Sequence, residues 1–200
     1  MIRLVPLAVL LAALSTGSPA QDSLASRFEK LKDPTISVKK DQKMLVVEAK
    51  GDPNIIGGRA FGLLFRLYYG MPETPKGPGQ GFPRARWPQS LDTPKSEWTG
   101  KYAVPVPETV AKLPDYEPQE GLKASLTTWE YGDVAEILYT GPYDKEEPTI
   151  QRLRDFITAQ SYLTVGGHEE EYIKGPTMSG KGDPEKYLTI IRYRVRRAGS

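Results

Sequence analysis

The sequence predicts an α+β domain made of two β-α-β-β repeats, on three observations. Stretches typical of strands alternate with two amphipathic helical stretches, one in each half of the chain. The halves also echo each other about ninety residues apart: strands at 46–48 and 134–136 each lead through a Gly/Pro turn into a helix. Finally, 200 residues minus a leader leave the length of one domain. Because one repeat leaves a sheet face uncovered, we expect two to pack around a central cleft.

The composition excludes several chemistries. The absence of cysteine excludes disulfides, zinc–thiolate sites and thiol catalysis. The single histidine, His168, leaves little room for a histidine-rich metal site or a Ser–His–Asp triad. The net charge of +2 is too small for the basic surface of a dedicated nucleic-acid-binding protein. We therefore predict no metal, no cofactor and no nucleic-acid partner.

Residues 1–20 have the pattern of a signal peptide. Arg3 supplies the positive charge, an apolar run follows at 4–14, and Ser18 and Ala20 place small residues before a cut at Gln21. The apolar run is shorter than the roughly 20 residues that span a membrane. We expect an exported protein, periplasmic or secreted, without a stable membrane anchor.

A single domain is expected over 34–200, after an N-terminal tether at 21–33. Its first repeat covers about 36–106 and includes a helix at 54–69. Between Gly70 and Pro94, ten of 25 residues are Gly or Pro. Apolar anchors within that segment favour an ordered excursion over one face of the domain rather than a disordered linker.

The second repeat is expected over about 122–197. Strands at 122–131 and 134–140, joined at Gly132-Asp133, predict a hairpin, and a helix follows at 148–160. The chain closes with a strand whose end is rich in arginine. Arg192, Arg194, Arg196 and Arg197 are expected on a solvated edge strand, where positive charge discourages pairing between sheets.

The second repeat resembles a known family. The run VAEILYTGPY at 134–143, the following helix and the run EEYI at 170–173 resemble the second repeat of gyrase-inhibitor-like (GyrI-like) domains. Such domains are also the effector-binding domains of multidrug-responsive transcription activators, and SOUL-type proteins are more distant relatives. The resemblance is good over 122–195 and looser over 36–106. It implies a duplicated fold with a small-molecule pocket between the repeats.

Two departures limit what the resemblance implies. Relatives often carry a glutamate in a Thr-Glu-Ile triplet on the closing strand, where this sequence has Thr189-Ile190-Ile191. The missing carboxylate puts both hydrolysis and strong selection of cations in doubt. A leader also stands where a DNA-binding module would precede the domain, which argues against transcriptional activation.

The run at 168–172 carries the candidate site. In a strand, His168, Glu170 and Tyr172 share one face, whereas Glu169 and Glu171 form a solvated row on the other. Three interpretations stay open: an exposed strand, a pocket with Glu170 at its centre, or a metal site. Zinc needs three or four ligands, and no third is evident.

Aromatic residues near the predicted strands would form the wall of a pocket. They have apolar bodies and polar tips, which suits a small-molecule site. The candidate ligand-binding residues are Glu170, Tyr172, His168, Trp129, Tyr131, Tyr139, Trp98 and Trp87. Burial among such rings is expected to raise the pKa of Glu170, and the carboxylate would favour planar cations.

These observations predict an exported protein that binds a hydrophobic or amphipathic, possibly cationic, small molecule without chemistry. One alternative is a hydrolase similar to the cyclopropane-cleaving branch of the family, with Glu170 as base and Tyr172 or Tyr139 steadying the leaving group. The other is a protein that docks a partner through 70–94. The ligand, any protein partner and the oligomeric state are left open.

Overall fold

A computed structural model describes residues 26–77, 80–88, 92–176, 180 and 182–199. The predicted leader at 1–20 lies outside the described residues, as does part of the predicted tether. Residues 31–200 form one compact unit; of 1–30, only 26–30 are described. Neither α-helix in the described part of the chain has the length and apolar character needed to cross a membrane.

The described chain forms one antiparallel sheet of eight strands with two helices. The strands are β1 (Thr35–Lys39), β2 (Gln42–Lys50), β3 (Arg84–Trp87), β4 (Thr99–Pro105), β5 (Leu122–Trp129), β6 (Gly132–Thr140), β7 (Tyr162–Lys174) and β8 (Leu188–Arg197). Their order across the sheet is β1-β6-β8-β7-β3-β4-β2-β5. Strands β7 and β3 therefore meet at its centre.

Helix α1 (Pro53–Gly70) follows β2, and helix α2 (Glu147–Ala159) follows β6. Asp52 caps α1, since its side chain accepts a hydrogen bond from the backbone N–H of Asn54 over 2.9 Å. Each helix buries an apolar stripe on the sheet. One core lies under α1 and includes Leu45, Val47 and Leu64; a second under α2 includes Ile137, Leu153 and Ile191. Both helices agree with the predicted positions.

The predicted hairpin of 122–131 with 134–140 is wrong. Strand β5 pairs with β2, whereas β6 pairs with β1 and β8. Close spacing in sequence favours a hairpin, but here residues 130–131 carry the chain from one edge of the sheet to the other side of its centre. The tertiary pairing available in each half of the sheet overrides the local signal.

Two other expectations need correction. The Gly/Pro-rich segment at 70–94 contributes the central strand β3, not only a cover over one face. The arginine-rich strand β8 is interior rather than an edge, between β6 and β7, and Arg192 is 1% exposed. Acidic side chains from the neighbouring strands β6 and β7 compensate its charge.

Candidate functional site

The candidate site lies at the centre of the sheet, on the face that carries both helices. His168, Glu170 and Tyr172 alternate along β7 and point to this face, as predicted. Glu170 stands beside Ala85 of β3 and Ile191 of β8 in the strand pairing. Since Ala85 belongs to the core under α1 and Ile191 to the core under α2, Glu170 lies between the two.

Both carboxylate oxygens of Glu170 are hydrogen-bonded. The Trp87 indole N–H donates to Oε1 over 2.7 Å, and the Tyr172 hydroxyl donates to Oε2 over 2.8 Å. His168 Nε2 lies 2.9 Å from Oε1. Glu170 is 5% exposed. Burial opposes its ionisation, but the hydrogen bonds with His168, Tyr172 and Trp87 outweigh burial and lower the pKa of Glu170. The raised pKa expected from burial alone is therefore wrong.

Glu146 completes the site, and the sequence pattern did not single it out. It precedes α2, beside the acidic Glu147 and Pro148, where an acidic residue is unremarkable at a helix start. In space, ligand atoms of Glu146, His168 and Glu170 all lie within 4.8 Å of one another. Burial and the negative charge of Glu170 raise the pKa of Glu146 to about 9, so this carboxyl is protonated at neutral pH.

Glu146 is also a possible third metal ligand beside His168 and Glu170, which was not evident in the sequence. The hydrogen bonds and protonation states of these groups argue against metal binding. Trp87 and Tyr172 already direct donors at Glu170, and Glu146 holds a proton at neutral pH. The described cluster is thus organised as one ionised carboxylate beside one neutral carboxyl, and the predicted absence of a metal stays a prediction.

Aromatic rings from both helical regions cover Glu170. Phe61 of α1 contacts Tyr102 and Tyr172, with ring centroids 5.0 and 5.8 Å apart. Tyr143, just before α2, contacts Tyr172 from the other side at 5.5 Å. Burial and the charge of Glu170 raise the pKa of Tyr143.

The other predicted site residues are distributed differently. Trp98 lies beside Trp87, with ring centroids 5.4 Å apart, so it supports a donor to Glu170. Tyr139 packs in the core under α2 and donates to the backbone oxygen of Pro142 over 2.8 Å. Trp129 and Tyr131 lie on the opposite face of the sheet, in a core with Met44 and Val46. The structure therefore does not bring Trp129 and Tyr131 to Glu170, because both side chains point to the face opposite the one that carries Glu170.

The opposite face carries Glu169 and Glu171, which were expected to be solvated. They are 4% and 7% exposed, so that expectation is wrong. Arg192 forms ion pairs with both, through Nη1 to Glu169 and through Nη2 to Glu171 at 2.7 Å. Arg84 adds a second pair with Glu171 at 3.2 Å. Charge compensation between strands makes the burial possible.

A cavity of about 470 Å³ also opens on this opposite face. Its lining includes Trp87, Trp129, Arg86, Lys101, Lys123 and Arg194. The lining is mainly charged or hydroxyl-bearing, and Arg86 and Lys101 are paired with acidic residues on neighbouring strands. The cavity thus differs in its lining from the aromatic residues over Glu170, and Trp87, which donates to Glu170, is common to both.

The sequence matches no protein-family model and no curated protein. Solved structures share its fold. An uncharacterized conserved protein from Listeria innocua is 19% identical, with a TM-score of 0.68 over 86% of this chain and 98% of that chain. A hydrolase from Listeria innocua is 18% identical, with a TM-score of 0.64 over the same shares, 86% and 98%.

The C-terminal domain of EcmrR, a protein also solved in a complex with DNA, is 12% identical. Its TM-score is 0.53 over 83% of this chain and 98% of that chain. Identities at this level establish the fold alone. The chain therefore shares its α+β fold with these proteins, as expected for a domain similar to the GyrI-like family.

Proposed function

We propose that this protein binds a small organic cation at Glu170, beneath the rings of Phe61 and Tyr143. The observation that carries the proposal is a buried carboxylate held ionised by three hydrogen bonds, beside a carboxyl that stays neutral. The pair thus presents one negative charge inside an aromatic enclosure. A ligand with one positive charge and an apolar body complements both features.

The hydrogen bonds favour binding over general-base catalysis. A carboxylate that accepts from Trp87, His168 and Tyr172 is a weak proton acceptor, because each bond stabilises its ionised form. It keeps its charge for electrostatic pairing. Tyr172 and Trp87 are themselves packed against other rings, so the carboxylate is also fixed in position.

A matched pair of probes tests this function. N-methylquinolinium and 1-methylnaphthalene have the same shape and differ in charge, and calorimetry should show tighter binding of the cation. Glu170→Gln should weaken the cation about ten- to a hundredfold and leave the neutral probe nearly unchanged. Glu147→Gln, at the exposed neighbour of Glu146, is the control for loss of a negative charge. Equal binding of the two probes by the wild type would contradict the proposal.

Hydrolysis is the second candidate, and one observation favours it. Glu146 is a neutral acid within reach of an ionised carboxylate, an arrangement that can protonate a leaving group and stabilise positive charge. One structural neighbour is described as a hydrolase. If the chain hydrolyses an activated cyclopropane, mass spectrometry should find the water adduct, and Glu146→Gln should abolish it. Binding of the cyclopropane without formation of a water adduct would contradict hydrolysis and support ligand binding as the only function.

Duplication is a further part of the proposal. Strands β2 and β6 start at positions 42 and 132, each is followed by a helix, and the order β3-β4-β2-β5 on one side matches β7-β8-β6-β1 on the other. This correspondence supports two repeats related by a pseudo-twofold axis between β3 and β7.

Export is proposed from the sequence of 1–20 alone. A positive start, a short apolar run and small residues before Gln21 support cleavage at that point. N-terminal sequencing of protein recovered from the periplasm or medium should begin at Gln21. A mature protein that begins at Met1 would contradict export by this route.

A further inference from the structure

One row of charged residues crosses the face of the sheet opposite Glu170. The row follows the strand pairing directly across β5, β2, β4, β3, β7 and β8, and it consists of Lys123, Glu48, Lys101, Arg86, Glu169 and Arg192. All six residues line the cavity of about 470 Å³ on this face. Their charges alternate in sign at every step except one, because Lys101 and Arg86 stand directly opposite each other. Like charges in such a pair repel and cost stability.

The neighbouring carboxylates leave this pair of cations only partly compensated. Lys101 lies 3.9 Å from Glu48, and both side chains are nearly half exposed, so their ion pair is weak. Glu48 is also the cross-strand partner of Lys123, so two lysines share one carboxylate. On the other side, the buried Glu169 also forms an ion pair with Arg192. Positive charge at Lys101 is therefore available to a further anion.

Arg86 is held in place with one end of its guanidinium unused. Its Nε donates to Glu169 over 2.8 Å, and its guanidinium carbon lies 3.9 Å from the centre of the Trp129 ring. Its Nη2 donates to the backbone oxygen of Glu130 over 3.4 Å, whereas its Nη1 has no hydrogen-bond partner among the described residues. A fixed guanidinium with an unpaired N–H group suits an oxyanion, because little side-chain freedom is lost on binding.

We propose that this cavity binds a small organic phosphate, with the phosphate group between Lys101 and Arg86 and a hydroxyl-bearing body beside Ser125 and Thr127 of β5. The two hydroxyl residues line the cavity. A phosphate monoester carries a charge of about −1.5 to −2 at neutral pH and has three acceptor oxygens. Between the two cations it would restore the alternation of charge along the row. This site goes beyond the proposed function, since Glu170 points to the other face of the sheet.

Other ligands match the cavity less well. A carboxylate has one charge and two oxygens, so it can pair with fewer of the N–H donors that the two cations offer. Inorganic phosphate matches the charge, but the cavity has the size of a site for a small organic molecule, and the hydroxyls of Ser125 and Thr127 would lack a ligand partner. A neutral sugar could pair with those hydroxyls but would not offset the repulsion between Lys101 and Arg86.

Calorimetry with glucose 6-phosphate, glucuronate, glucose and inorganic phosphate tests the proposal. Wild type should bind glucose 6-phosphate at least about tenfold more tightly than each of the other three probes. Lys101→Met should weaken glucose 6-phosphate about tenfold or more. The same variant should unfold in urea at an unchanged or higher concentration, because it removes a repulsive contact. Lys112→Met, at an exposed lysine outside the cavity, should not change the affinity.

A further measurement separates this site from the one at Glu170. Lys101→Met should bind N-methylquinolinium within about twofold of wild type, since Lys101 lies on the other face of the sheet. Equal weakening of glucose 6-phosphate by Lys101→Met and Lys112→Met, or no binding of any of the four probes, would overturn the proposal and leave the function at Glu170 untouched. Glucuronate or glucose binding as tightly as the ester would overturn the phosphate assignment. Inorganic phosphate binding as tightly would mean an adventitious ion only.

Discussion

Glu170 and Glu146 are chemically identical side chains with opposite protonation states in this site. Donors from Trp87 and Tyr172 stabilise the charge on Glu170, whereas Glu146 is buried against that charge with one oxygen unpaired. The different surroundings thus keep Glu146 protonated and Glu170 ionised at neutral pH. Together the two glutamates carry one negative charge, which is the basis for expecting a monovalent cation.

The raised pKa of Glu146 makes stability depend on pH. Folding moves this pKa from an ordinary 4.5 to about 9, so the folded state binds more protons than the unfolded state between those values. The free energy of unfolding contributed by this group therefore falls as pH rises from about 4.5 to about 9. Glu146→Gln resembles the protonated form and should lose this dependence.

Urea unfolding of wild type and Glu146→Gln at several pH values between 5 and 9 measures the effect. The variant should gain stability relative to wild type as pH rises. The exposed Glu147→Gln serves as the matched control and should run parallel to wild type. Parallel curves for Glu146→Gln as well would show that Glu146 ionises normally in the folded protein.

Among the elements, β7 depends most on a close backbone contact. It contains a bulge between Val165 and His168, and a Cβ added at Gly167 would lie 1.7 Å from the backbone oxygen of Trp87. No side chain fits there unless β3 moves. Because Trp87 of β3 donates to Glu170, a shift of β3 would disturb both its pairing with β7 and the candidate site.

Gly167→Ala should therefore destabilise the protein by about 1–3 kcal/mol and weaken the cation probe. Gly62→Ala offers the opposite case, since Gly62 lies within α1, is exposed and has open space for a Cβ. That substitution should stabilise by up to about 1 kcal/mol without affecting binding. Urea unfolding and calorimetry on both variants provide the comparison; a neutral Gly167→Ala would argue against the close contact.

The two helices and the facing of β7 could be predicted from the sequence, whereas strand β3 and the role of Glu146 could not. Periodic apolar stripes located both helices, and alternation correctly placed His168, Glu170 and Tyr172 on one face, because these signals are local. Strand β3 was missed because four residues with two arginines, flanked by Gly and Pro, read as a loop. Glu146 was missed because its approach to Glu170 depends on tertiary packing before α2.

At the scale of the whole molecule, the face opposite the site is joined by a buried ionic network. Arg192 pairs with Glu136 of β6 at 2.5 Å and with Glu169 and Glu171 of β7. The Tyr131 hydroxyl accepts from Arg84 over 2.6 Å and donates to Glu169 over 3.0 Å. The network thus links β6, β8, β7 and β3 on the face of the sheet opposite Glu170.

Arg192→Met should destabilise the protein by about 3–5 kcal/mol, because it leaves three buried carboxylates without their shared cation. Arg194→Met is the matched control on the same strand: its side chain is 36% exposed and lies 3.9 Å from Glu130, so about 0–1 kcal/mol should be lost. Urea unfolding measures both. The deficit of Arg192→Met should shrink in acid, where the freed carboxylates can bind protons. Equal losses for the two variants at neutral pH would mean that Arg192 acts only through its packing, and that the centre of the sheet does not depend on buried charge.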